Sequence, residues 1–182
     1  MSLVTERNKG VVPARTGEFA PLRLGNRIAL RTPVVLAPMA GVTSAPYRVL
    51  CQGYGEALYV SEMISARGLV ERNRKTLRLA RFMREERIRA LQVHGTGARC
   101  LEEAARYLVG ELGVELLDLN LGCPVRKITA SGGGAAIPHK PRLLASLLRG
   151  LRKGAGSIPV TMKMRLGIDQ EHLSYREAGR IA

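Results

Sequence analysis

Glu115-Leu116-Leu117-Asp118-Leu119 runs directly into Asn120-Leu121-Gly122-Cys123-Pro124. The first five residues read as a short apolar strand, buried on both faces. The next five, with Gly122 and Pro124 flanking Cys123, read as a loop that carries polar and reactive groups. Strands apolar on both faces belong to parallel sheets covered by helices. The chain has four more such runs, Val34 to Ala37, Ala57 to Val60, Arg89 to Val93 and Pro159 to Met164. Helical patterns separate them, near 44–52, 62–83, 98–110, 140–153 and from 174 onward. A spacing of roughly 25 to 45 residues is that of successive βα units.

A doubly wound sheet and a (β/α)8 barrel both begin this way. The exit of the first strand carries no G-x-G-x-x-G, which removes the best evidence for a dinucleotide fold. The expected class is therefore α/β, a (β/α)8 TIM barrel. A whole barrel needs about 250 residues. This chain has 182 and stops within its fifth helical pattern, so the barrel is expected to be truncated after about five units. Ahead of it, residues Leu22 to Leu30 alternate around Gly25-Asn26 and predict a short hairpin that caps the barrel. Residues 1–20 are polar and dotted with Gly and Pro, and read as a flexible tail.

Composition narrows the function. Hydrophobic residues make up 46% of the chain, too many for a disordered protein, and aromatics only 4% with no Trp, so the core is aliphatic. Lys and Arg number 29 against 15 Asp and Glu, a net charge of +14 that suits a polyanionic partner. Three cysteines without a CxxC pair, and three histidines without ligand spacing, argue against a disulfide framework and against a metal site. No signal-peptide h-region and no run of about 20 apolar residues is present, so a cytoplasmic protein away from membranes is expected.

In a barrel, chemistry gathers where strands end. The strand exits read Ala37-Pro38-Met39-Ala40-Gly41-Val42-Thr43, Ser61-Glu62-Met63, Gln92-Val93-His94-Gly95, Asn120 to Pro124, and Lys163-Met164-Arg165. The motifs LAPMAGVT, QVHG, DLNLGCP and VTMKMRLG, in this order, resemble the bacterial tRNA-dihydrouridine synthases, from about Leu22 to the last residue. The resemblance implies an FMN-binding barrel followed by a small helical domain, with residues 21–182 the N-terminal part of that barrel. It implies reduction of the C5–C6 double bond of tRNA uridines with NADPH as reductant, and a monomer at full length.

The resemblance also assigns roles. Pro38, Met39 and Ala40 match the loop that contacts the flavin. Gln92 matches the glutamine on the pyrimidine side of the ring, where an amide offers donors and acceptors. Lys163 matches the lysine that favours the anionic reduced flavin. Cys123 matches the proton donor; free thiols are mostly protonated at neutral pH, as a general acid must be. Asn120 matches the residue that holds the uracil, and Arg126, Lys127 and Arg165 are further candidates for binding the RNA. Ser131-Gly132-Gly133-Gly134 lacks a following G-K-[ST], which excludes a Walker loop and leaves a mobile loop carrying the acid. His94 reads as a local structural residue, the arginines between 72 and 89 as a solvated face, and Cys51 and Cys100 as core. A flavin barrel acting on a small pyrimidine, and an inactive RNA-binding fragment, are the rival readings. A barrel lacking its last strands is expected to be inactive, to hold FMN poorly and to aggregate.

Overall fold

A computed structural model describes residues 17–182. Most of the expected tail, residues 1–16, lies outside the described residues; residues 17–20 are exposed. Strands β1 (Leu22–Leu24) and β2 (Ile28–Leu30) pair antiparallel, with Leu24 opposite Ile28 across the Gly25-Asn26-Arg27 turn, as the alternation predicts. Five strands follow in one parallel sheet: β3 (Val35–Leu36), β4 (Leu58–Ser65), β5 (Ala90–His94), β6 (Leu116–Leu121) and β7 (Val160–Met164). Their spatial order is their order in sequence. A doubly wound sheet reverses direction at a switch point. This one never does, and its curled sheet is five strands of a (β/α)8 barrel.

The helices are α1 (Ala45–Gln52), α2 (Ala66–Val70), α3 (Arg74–Leu79), α4 (Ala98–Leu112), α5 (Arg126–Thr129), α6 (Pro141–Ala155) and α7 (Tyr175–Ile181). The two long ones carry their own start and stop signals. Pro141 opens α6, where a missing N–H costs nothing, and Gly113 ends α4 at φ 61°. They also pack backbone to backbone. A Cβ on Gly150 or Gly154 would overlap the carbonyls of Ala98 or Glu102.

The strands have two different faces. Leu91, Val93, Leu117, Leu119 and Leu121 point outward into a core shared with Leu101 and Leu108 of α4 and Leu144, Leu147 and Leu151 of α6. Each such buried leucine contributes about 1.5–3 kcal/mol. On the inner face, Leu58, Val60, Ala90 and Leu116 pack against Ile28 and Leu30, so the hairpin plugs the N-terminal end of the barrel interior. Further along the same face the side chains turn polar, beginning with buried Gln92 and Asp118.

One element departs from expectation. The sequence pattern predicts a second strand that ends at Val60, with a helix over 62–83. Instead β4 continues to Ser65, with a register shift against β5 between Val60 and Met63. Two short helices then replace the long one. Ser65 caps α2 and Asn73 caps α3, and Arg72 between them takes φ 55°. Helical spacing of apolar residues could not show this break, because capping side chains and a left-handed residue set it. Cys51 and Cys100, expected in the core, are only half-buried, although Cys100 does pack against the main cluster.

Candidate active site

Sheet register assembles the site. Gln92 lies opposite Asp118, Asp118 opposite Thr161, and Asn120 opposite Lys163. Alternation then aims Gln92, Asp118, Asn120, Thr161 and Lys163 at the inner face. Four of them, with the Cys123 backbone, form a continuous hydrogen-bonded row. Thr161 Oγ1 donates to Asp118 Oδ1 at 2.7 Å, and Gln92 Nε2 donates to Asp118 Oδ2 at 2.6 Å. Asn120 Nδ2 donates to Gln92 Oε1 at 2.7 Å, and the Cys123 backbone N–H donates to Asn120 Oδ1 at 3.1 Å. The Gln92 backbone N–H is held by Ser61 Oγ at 3.2 Å. Burial raises the Asp118 carboxyl above its ordinary value; the bonds from Thr161 and Gln92 and the charge of Lys163 oppose that shift.

The turn after β3 forms the facing wall. Thr43, fully buried, accepts the Met39 N–H through its hydroxyl at 3.0 Å. Glu62, turned toward this loop just where β4 shifts register, accepts the Gly41 N–H at 3.0 Å. Arg48 of α1 donates to the Thr43 carbonyl at 2.7 Å and forms a two-pronged pair with Glu86, at 2.6 and 2.9 Å. Both charged side chains are essentially inaccessible. Phe82 lies 5.1 Å from the guanidinium and the Arg81 carbonyl accepts a further N–H, so this buried charge is well satisfied.

Between the walls is a cleft of about 230 Å³, lined by Pro38, Ala40, Met63, Gln92, Asn120, Gly122, Cys123 and Lys163. Six of the residues singled out by sequence thus meet at one place. Met39 is not in the lining; its backbone is taken up by the turn. Arg126 and Lys127 sit exposed on α5, beyond the cleft, and Arg165 is exposed just past β7. His94 ends β5 and lines a separate cavity of about 540 Å³ with Ser65, Thr96 and Cys100; burial lowers its pKa. A larger cavity, about 1250 Å³, runs along β7 beside α6 and the hairpin turn. It shares only Thr161 with the polar row and is the flank of an edge strand.

A dihydrouridine synthase family model matches residues 35–182. The chain belongs to the dihydrouridine synthase family. It is 44% identical over 170 residues to a probable tRNA-dihydrouridine synthase of Mycobacterium tuberculosis, covering 88% of this chain and 43% of that protein. A probable tRNA-dihydrouridine synthase of Mycobacterium leprae is 38% identical over 176 residues, 81% of this chain and 46% of that one. The tRNA-dihydrouridine synthase B of Shewanella oneidensis is 36% identical over 153 residues, 84% and 47%. The chain spans about half the length of the curated relatives it matches.

Sequence reading missed Asp118, Thr161 and Arg48, and named Ser61 and Glu62 only as a strand exit without a role. For Asp118 a signal existed: a charged residue two positions before Asn120, on the same strand face. Arg48 gave none, since its partner Glu86 is 38 residues away. Among the described residues no cluster of His, Cys, Asp or Glu could hold a metal, and no helix is long and apolar enough to cross a membrane.

Proposed function

We propose that this chain supplies the N-terminal part of a barrel that reduces tRNA uridine to 5,6-dihydrouridine, using FMN and NADPH, in the cytoplasm. The supporting observation is the convergence of Lys163, Gln92, Asn120 and Cys123 from three strands on one cleft. The relatives' further length accommodates the remaining strands and a helical domain, and the working protein is a monomer.

The cleft's groups suit a flavin. Its walls combine small residues, Ala40 and Gly122, which permit close approach of a flat ring, with an amide and an ammonium for its polar edge. Pro38, Ala40, Gln92 and Lys163 would hold it, and when bound it supplies the hydride for uracil C6. Asn120 orients the uracil. Cys123 gives its thiol proton to C5 from a loop fixed by two bonds, its N–H to Asn120 and its carbonyl to the Ala135 N–H. The target base must leave its stack to reach a cleft this narrow. Arg126, Lys127 and Arg165, exposed around the rim, and the net charge of +14 provide for the RNA backbone.

The test uses the protein expressed at the length of its relatives, with unmodified tRNA and NADPH. Flavin absorbance and dihydrouridine are expected, with Cys123→Ala losing the product and keeping the flavin. Turnover of free pyrimidines instead of tRNA would point to a small-molecule oxidoreductase, and a colourless protein would remove the flavin reading. Residues 1–182 alone are expected to aggregate and to bind FMN poorly, because β3 and β7 are unpaired edges and Val34 and Val35 are about half exposed.

A further inference from the structure

The polar row has a direction. At one end stands Asp118, whose ionised oxygens can only accept; at the other stands the Cys123 backbone N–H, which can only donate. Between them lie two side-chain amides, each able to face either way. Only one arrangement satisfies both ends. Gln92 must turn its NH2 to Asp118 and its oxygen to Asn120, and Asn120 must turn its NH2 to Gln92 and its oxygen to Cys123. Thr161 donates into the same carboxylate from the far side, leaving its second oxygen to Gln92.

We propose that Asp118 is a positioning residue: it sets which way the Gln92 and Asn120 amides face, and so which groups they offer to a ligand in the cleft. Each amide uses one N–H and one lone pair in the row and keeps one of each. Reversing the row would exchange donor for acceptor at both positions, while the shape of the cleft stays the same. Asp118 lines no part of the cleft and acts only through its neighbours. Its cost in buried charge is partly offset by two hydrogen bonds and by Lys163.

The row can be reversed by moving the charge. Asn120→Asp alone sets a carboxylate against Gln92 Oε1, which Asp118 holds in place; two acceptors meet, and a second charge is buried. Adding Asp118→Asn lets both bonds of the Gln92 amide re-form in the other sense. The amide introduced at 118 donates to Gln92 Oε1, Gln92 Nε2 donates to the carboxylate introduced at 120, and Cys123 N–H still has its acceptor. Thermal midpoints of the full-length protein should fall by about 5 °C or more for Asn120→Asp. The double variant should recover at least half of that loss. Because lowering the local charge could also restore stability, the amide direction is read separately. In the double variant the Gln92 side-chain NH2 protons gain a nuclear Overhauser contact with the Cys123 amide proton, which the wild type lacks. No recovery, or recovery without the new contact, overturns the proposal.

The consequence for ligand rests on the flavin reading, and FMN is the probe. With the row reversed, FMN should bind at least tenfold more weakly although the fold is restored; equal affinity would overturn the role in recognition. A wild type that binds no FMN would sink the flavin reading, while the nuclear Overhauser contact would still decide the direction of the amides.

Discussion

The two walls of the cleft are held by opposite means. The Pro38–Thr43 wall is a turn, bonded by a few backbone groups of its own and by the Glu62 N–H. Side chains complete it: Thr43 and Glu62 accept from N–H groups and Arg48 donates to a carbonyl, with Glu86 neutralising Arg48. The β5–β6 wall is strand, and its backbone is satisfied by the ladder. There the side chains are free to bond one another, and the polar row forms. A loop wall thus depends on a buried ion pair, and a strand wall on amide direction. The loop wall should fail abruptly when a partner is lost.

The largest expected effect tests that difference. Glu86→Ala strands Arg48 as a buried unpaired charge and should cost about 3–5 kcal/mol, read by denaturant unfolding. A loss below about 1 kcal/mol would mean that the loop wall does not depend on the pair. Next comes Gly134→Ala, against the Cys123 loop that continues the strand wall beyond β6. Gly134 has φ 54°, and a Cβ there would overlap the Cys123 carbonyl. A cost of about 1–3 kcal/mol is expected, with dihydrouridine formation falling further than stability because Cys123, the proposed acid, is displaced. Thr43→Val removes one acceptor from the turn and should cost about 1 kcal/mol, measured the same way. The smallest effect separates both walls from the surface. Hydrogen bonds from the Arg31 backbone, and then from its side chain, lower the partly exposed Glu56 carboxyl. A lowered folded value stabilises above the ordinary glutamate range and is lost as pH falls through it. Asp118, raised by burial, has the opposite sign: its contribution is present at low pH and lost as pH rises through the raised value. Acid titration of Glu56→Gln should therefore show a shallower loss of stability, and Asp118→Asn a steeper one.

Much of this was legible beforehand. The five strands, the hairpin and the helices α1, α4, α6 and α7 follow from apolar periodicity, and their limits shift by about two residues or fewer, β4 excepted. β4 runs five residues past its expected end because polar Ser61 and Glu62, where the register shifts against β5, are buried by contacts with Gln92 and Gly41 and the strand resumes pairing at Met63. β3 is two residues, each limit one residue inside the expected run. Pro38, Ala40, Gln92, Asn120, Cys123 and Lys163 were recognisable from motifs, and the cleft brings them together.

Sequence by itself determined the class of fold, the order of the strands and which strand ends bear reactive groups, because a period of two residues and the residues that end strands are local properties. Register, amide direction and the Arg48–Glu86 pair were decided only in the tertiary structure. They link residues up to 43 positions apart, and a hydrogen bond depends on the partner that packing supplies.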